Sequence, residues 1–258
     1  TVANDRVTTP PAILGPVLDA AQPNGIRPRL QRLMPPTDPN PLNTPVIPNM
    51  AGFWGVEDLA GYSPLPNGRM EEFFLALEPN DPGTQKVSVV LGGAGVRSLR
   101  DPSSLTHPLS NLIGIEWILT PLELDLPNLT ERTPPSLSPS YRLYQRSGSL
   151  PRATFVHKVV IQKNRAERLA TLADRNRDLQ DTVVLETEQA PTPSSGASQR
   201  APRVTITKHA DEVVVIEVDT PADGYLRLAD PYDAGWTAKV DGASTTVYPA
   251  DHYFRAVY

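Results

Sequence analysis

Apolar and polar residues alternate most clearly in the last third of the chain. Val204 and Ile206, then Val214, Ile216 and Val218, stand at every second position, the period of a half-buried strand. His209-Ala210-Asp211 between them reads as a turn. Leu226 and Leu228 alternate with polar neighbours until Asp230, Pro231, Asp233 and Gly235 break the run. Trp236, Ala238 and Val240 alternate again. Asp241-Gly242 then offers two adjacent residues that tolerate positive φ, which predicts a tight hairpin turn. Residues 245–248 make the returning strand and 253–258 another. The pattern is an antiparallel meander forming one sheet of a β-sandwich.

Upstream the pattern is mixed. Ile13, Leu14, Val17 and Leu18 have helical spacing after Pro10-Pro11, with Pro16 interrupting it. Residues 27–33 (RPRLQRL) alternate charged and apolar and predict a strand that Pro28 assigns to a sheet edge. Met70, Phe73, Phe74 and Leu77 share one face of a short helix. Residues 86–91 (KVSVVL), 115–119, 141–145, 154–161 and 181–186 read as strands by β-branched and aromatic content. A helix over 107–112 takes Thr106 as N-cap, Pro108 in its first turn and Gly114 past its end. Another opens at Asn164, with Glu167 three residues on, and turns Leu169 and Leu172 inward. The fold class is α+β. A mixed sheet with a few short helices occupies 1–187, a mobile linker 188–201, and the C-terminal sandwich 202–258. The two parts can share one core, since strands on either side of the linker can pair.

Composition sharpens this picture. The 29 prolines are roughly twice ordinary usage and cluster in irregular connections at 35–48, 134–139 and 191–193. A net charge of −5 provides no basic footprint for nucleic acid. No stretch approaches the ~20 apolar residues of a spanning helix, and the absence of cysteine excludes disulfides and thiolate metal sites. The chain opens at Thr1 with no charged and apolar leader, so it is expected to start mid-protein or after processing. Its end in FRAVY, with no closing turn, reads as a truncated strand.

Five segments, in order, carry a resemblance. They are Pro48-Asn49 followed by GVEDLAGY (55–62), NLIGIEWILT (111–120), LPRATFV (150–156), VVLE (183–186), and DPYDAGWTAKVDG with YPADHYFRAV (230–242 and 248–257). Together they resemble the extracytoplasmic domain of the bacterial YfhO-type polytopic membrane proteins. The resemblance implies a domain on the extracytoplasmic face of the cell membrane, with membrane helices of the same polypeptide as partners. It implies that the parent protein is a type C glycosyltransferase-like protein using a polyprenyl-phosphate sugar. The catalytic carboxylate would then lie in the membrane part. The domain itself would be non-catalytic, binding or positioning a glycan acceptor or lipid-linked sugar.

Candidate chemistry is sparse. None of the four histidines has a metal-ligand spacing, and neither a GxSxG elbow nor a cofactor motif is present. Gly92-Gly93-Ala94-Gly95 lacks the lysine of a phosphate loop and reads as a bend. His107 and His209 read as capping or surface residues, whereas His252 lies inside a family motif. Asp230, Asp233 and Asp241 surround Trp236, and paired carboxylates beside a sugar are the arrangement of glycosidases. Aspartates at strand ends also cap turns. The ligand-binding candidates are Trp54, Tyr62, Asp230, Trp236, Asp241, His252 and Arg255, with no catalytic or metal-binding residue and no cofactor. Trp236 is expected toward the core, and Arg255 in an ion pair with Asp241 or Asp230. Two other readings stand beside the first. One is a secreted carbohydrate-binding or glycoside-processing protein, the other an interaction scaffold.

Overall fold

In the computed structural model, which describes residues 9–21, 24–35, 44–60, 67–78, 98–135, 140–194 and 200–258, the chain is α+β. A few short helices accompany many strands in mixed and antiparallel sheets. Two units share the chain by turns. The first takes Thr1–Asn67, Glu78–Thr106 and Ile115–Ser149; the second takes Gly68–Leu77, His107–Gly114 and Leu150–Tyr258. Among the described residues no helix is long and apolar enough to cross a membrane.

In the first unit a 3-10 turn (Ala12–Leu14) leads into helix α1 (Gly15–Asp19). Pro16 falls in the first turn of this new helix, where its missing N–H costs nothing. Strand β1 (Arg29–Arg32) lies between β2 (Glu57–Asp58) and β3 (Trp117–Thr120) and runs parallel to both. Antiparallel β4 (Leu129–Glu131) and β5 (Arg142–Arg146) complete the order β2-β1-β3-β5-β4. The edge position expected from Pro28 is therefore corrected. Pro28 stands just before the paired run, and its carbonyl accepts from Glu57 N–H at 2.9 Å, so the ladder needs no donor from it. Ile13, Leu14, Val17, Leu30, Trp117 and Leu143 are among the residues packed in the core.

All four β1 residues are buried, although half are charged. Arg32 is fully enclosed. It donates to Asp58 Oδ1 at 2.6 Å and to the Val46 carbonyl at 2.7 Å. Asp58 also accepts the N–H groups of Asn49 and Ala60, each at 3.1 Å. Asn49 holds a left-handed φ of 69°, and asparagine is one of the few residues that tolerates it. One carboxylate thus ties β1, β2 and the intervening turn together. The strand expected over 86–91 and the glycine run after it lie outside the described residues.

The second unit is built on helices α2 (Gly68–Leu77), α3 (Pro108–Leu112) and α4 (Arg165–Ala173) and a six-stranded sheet. The sheet comprises β6 (Ala153–Val156), β7 (Lys158–Ile161), β8 (Thr182–Leu185), β11 (Tyr225–Leu228), β14 (Tyr248–Ala250) and β15 (Phe254–Val257). Their order is β6-β11-β15-β14-β8-β7. The single strand expected over 154–161 is therefore two strands, broken at His157, and they occupy opposite ends of the sheet. One residue separates them in the chain, so the sheet curls until its edges meet and is nearly closed. Asp181 Oδ1 holds this corner, accepting from the His157 backbone N–H at 2.9 Å and standing 3.1 Å from its Nδ1.

Local signals set the helices. The Asn164 side chain accepts from Glu167 N–H at 3.1 Å and starts α4. Phe73, Phe74 and Leu77 of α2 are buried, with Phe73 edge-to-face on Phe254 at 5.5 Å. The N-cap of α3 is His107 rather than Thr106, because its Nδ1 accepts from Leu109 N–H at 3.1 Å. Two antiparallel ribbons stand apart from the large sheet. One pairs β9 (Arg203–His209) with β10 (Val214–Asp219), the other β12 (Ala238–Val240) with β13 (Ala243–Thr245). Asp241 and Gly242, at φ of 50° and 85°, make the turn of the second, as their types require.

Strands from before and after residues 188–201 share one core in the second unit, as the sequence allowed. Val156, Val183 and Leu185 from before that segment pack with Tyr225, Ala250 and Ala256 from after it in one core. The Pro191 carbonyl accepts from the Tyr225 hydroxyl at 2.5 Å, which fixes the start of the segment to this core. The apolar faces of the early strands need those of the late ones, and this outweighs the break that composition suggests.

Candidate functional site

Beyond Leu228 the chain leaves β11 through Ala229, whose N–H donates to the Arg152 carbonyl at 2.7 Å. The next residue, Asp230, is buried at the meeting point of three basic side chains. Its Oδ1 accepts from Arg152 Nη1 at 2.6 Å, and its Oδ2 lies 2.9 Å from His209 Nε2 and 3.3 Å from Arg255 Nη2. His209 in the tautomer protonated at Nε2 donates to this carboxylate. The Arg255 guanidinium lies 3.7 Å from the Trp236 ring centroid, a cation–π contact. Burial lowers the Arg255 pKa, opposed by Asp230 and aided by Arg152. Two guanidiniums thus face one carboxylate. Nη1 of Arg255 is buried with no acceptor among the described residues.

A second network joins α2 and α4 to the turn before β15. Asp251 and His252 hold left-handed φ values of 47° and 68° and are both buried. His252 Nδ1 accepts from Arg168 Nε and Nη2 at 3.3 and 3.2 Å. Its Nε2 lies 2.7 Å from Glu72 Oε2. Arg69 donates to Glu186 at 2.5 Å and to the His252 carbonyl at 2.9 Å, and Arg168 stands 3.1 Å from Glu186. Beneath them Asp251 accepts from Val184 N–H at 2.8 Å and lies 3.4 Å from Arg227 Nη1. Arg227 also donates to the Leu179 and Thr182 carbonyls. Burial pushes the Asp251 carboxyl up and the Arg227 guanidinium down, each opposed by the other.

Burial, reinforced by Arg168 and Arg69, lowers the His252 pKa, and Glu72 opposes this. Below its ordinary value of about 6.5 the unfolded chain then binds the proton more readily than the folded one, so stability falls as pH drops. His107 is lowered in the same direction, by burial first and by Arg175 second. Urea midpoints should decline from pH 7 to pH 5, and His252→Asn, which tolerates the left-handed φ, should flatten that decline. A wild-type profile with no slope in this window would contradict the assignment. Glu186 belongs to a lower window. Burial raises it, but Arg69 and Arg168 more than offset this and hold it below the usual carboxylate value. Its contribution is lost only as pH falls through the carboxylate range.

Of the seven sequence candidates, the structure brings together Asp230, Trp236 and Arg255. The expected Arg255–Asp230 pair is present, and Trp236 is half-buried beneath the guanidinium rather than packed in apolar core. His252 belongs to the second network. Asp241 is exposed in its hairpin turn and makes no contact with Arg255 among the described residues. Trp54 packs half-buried against the core of the first unit. Tyr62 lies outside the described residues. Arg152 and His209 were not among the candidates, nor were Glu72, Arg168, Arg227 and Asp251. Arg168 had left a trace, since it stands four residues before the inward Leu172 on the same helical face.

Chemically, the Asp230 cluster is a brace. Both carboxylate oxygens are taken by basic side chains, and the ends of β9, β11 and β15 are drawn onto the approach to β6. Among the described residues no group of three or more His, Cys, Asp or Glu could hold a metal ion. Compared with known proteins, the chain matches no family model, no curated protein and no solved structure.

Proposed function

We propose that this chain is the extracytoplasmic, non-catalytic module of a YfhO-type, glycosyltransferase-like membrane protein. In this reading it positions a cell-envelope glycan acceptor beside chemistry carried by membrane helices of the same polypeptide. One observation supports the reading above others: residues from separate resembling motifs meet in one cluster. Arg152 comes from LPRA, Asp230 and Trp236 from DPYDAGW, and Arg255 from FRAV. Their meeting gives these motifs a common physical purpose, which is to shape and lock one end of the nearly closed sheet. A motif set whose polar members bond to each other inside a fold suits a framework better than a reaction centre.

The experiment has two arms on the isolated chain. It is incubated with a polyprenyl-phosphate sugar and cell-envelope polysaccharide, and sugar transfer is measured. Retention of the chain on the same polysaccharide is measured by co-sedimentation. The expected result is retention without transfer. Turnover above background overturns the non-catalytic role, and loss of retention overturns the acceptor-binding role.

A further inference from the structure

We propose that a cleft beside α3 in the second unit binds a single neutral hexose residue. The proposal deepens the acceptor-binding reading above and rests on it for the source of that residue. The cleft measures about 120 Å³ and is lined by Asn111, Leu150, Arg177, Asp178, Leu179 and Gln180, among others. That is room for about four waters at ~30 Å³ each, so it admits the edge of one ring while the rest of a glycan projects outward.

The lining selects the chemistry. Arg177 has no side-chain hydrogen bond or ion pair with any described residue, and its Nε is buried without an acceptor. Only its backbone N–H is used, on the Asp174 carbonyl at 3.1 Å. A donor held this way costs free energy unless something accepts from it. Beside it stands Asp178, an acceptor whose Oδ1 takes the Gln180 N–H at 3.0 Å and whose Oδ2 lies 3.6 Å from Lys158. A carboxylate ligand would meet Arg177 favourably but Asp178 unfavourably, and an ammonium ligand the reverse. Hydroxyl groups both donate and accept, so adjacent hydroxyls satisfy the guanidinium and the carboxylate together. The amides of Asn111 and Gln180 have the same dual character. Leu150 and Leu179 supply apolar surface for the C–H face of a ring.

The cleft is also held in place. The Leu150 N–H donates to the Asn111 carbonyl at 2.9 Å, tying the two walls together. The Leu179 carbonyl accepts from the buried Arg227 at 2.9 Å, so the third wall is anchored to the large sheet.

The test is saturation-transfer NMR on the whole chain with glucose, galactose, N-acetylglucosamine, glucuronate and glucosamine. Wild type is compared with Arg177→Ala, Gln180→Ala and, as a variant remote from the cleft, Asp241→Ala. Arg177 and Gln180 are not core residues, and unchanged circular dichroism confirms that each variant folds. The expected result is binding of at least one neutral sugar, weakened about tenfold or more by Arg177→Ala and unaffected by Asp241→Ala. Tighter binding of glucuronate or glucosamine than of every neutral sugar overturns the neutral-hexose assignment. Sugar binding that survives both cleft substitutions overturns the cleft and leaves the acceptor-binding role standing. No binding of any sugar overturns the cleft, and polysaccharide retention then decides the broader role separately.

Discussion

Asp230→Ala is expected to lower stability by about 3–5 kcal/mol, the range for removing one partner of a buried ion pair. The loss is large because of what remains. Arg152 and Arg255 stay buried with like charge and no carboxylate between them, and His209 loses its acceptor. Urea unfolding followed by hydrogen exchange of peptides covering β6, β11 and β15 measures this directly. The midpoint should fall at nearly constant slope. A double variant, Asp230→Ala with Arg255→Ala, should cost less than the sum of the singles, because it removes one of the stranded charges. A change below about 1 kcal/mol in the single variant, the size of an exposed ion pair, would refute the brace.

Asp58→Ala should produce a loss of similar size, about 3–5 kcal/mol, in the first unit. Arg32 would keep the Val46 carbonyl but lose its only carboxylate contact among the described residues, in a fully buried position. The N–H groups of Asn49 and Ala60 would lose their acceptor at the same moment. Trp117 lies in this core with Trp54 against it, so tryptophan fluorescence reports the transition. Exchange of the amides in β1 and β3 provides the local measure. Asp58→Asn should recover part of the loss, since its amide oxygen still accepts from backbone N–H groups while the charge is gone.

What the sequence made legible was local. Asp241-Gly242 announced its hairpin because only a few residue types tolerate that backbone, and Asn164 with Glu167 announced α4 because the cap is a contact between near neighbours. The break at His157 was hidden. It carries no glycine or proline, and the β-branched residues on either side suit one long strand as well as two short ones. Burial of Arg32, Arg168 and Arg227 was hidden for another reason. A charge in an alternating pattern reads as a solvent face until its partner is known, and those partners lie 26, 84 and 24 residues away. The Asp230 cluster was half legible. Asp230 and Arg255 fall in one expected meander, which offered Asp241 and Asp230 alike as partners of Arg255, and the pairing of β11 with β15 decides for Asp230. Arg152 comes from 78 residues upstream, and nothing in its own segment points to Asp230.

The corner at His157 has a kinetic consequence. Because β6 and β7 bound opposite ends of the same sheet, and β15 lies between their neighbours, no subset of early strands can assemble the ring. In a nascent chain β7 and β8 can pair with each other at once, whereas β6 waits for β11 and β8 for β14, and residues 254–257 then join β11 to β14 and complete the ring. The rate of assembly should therefore reflect loop closures spanning about 65 to 75 residues rather than local hairpins.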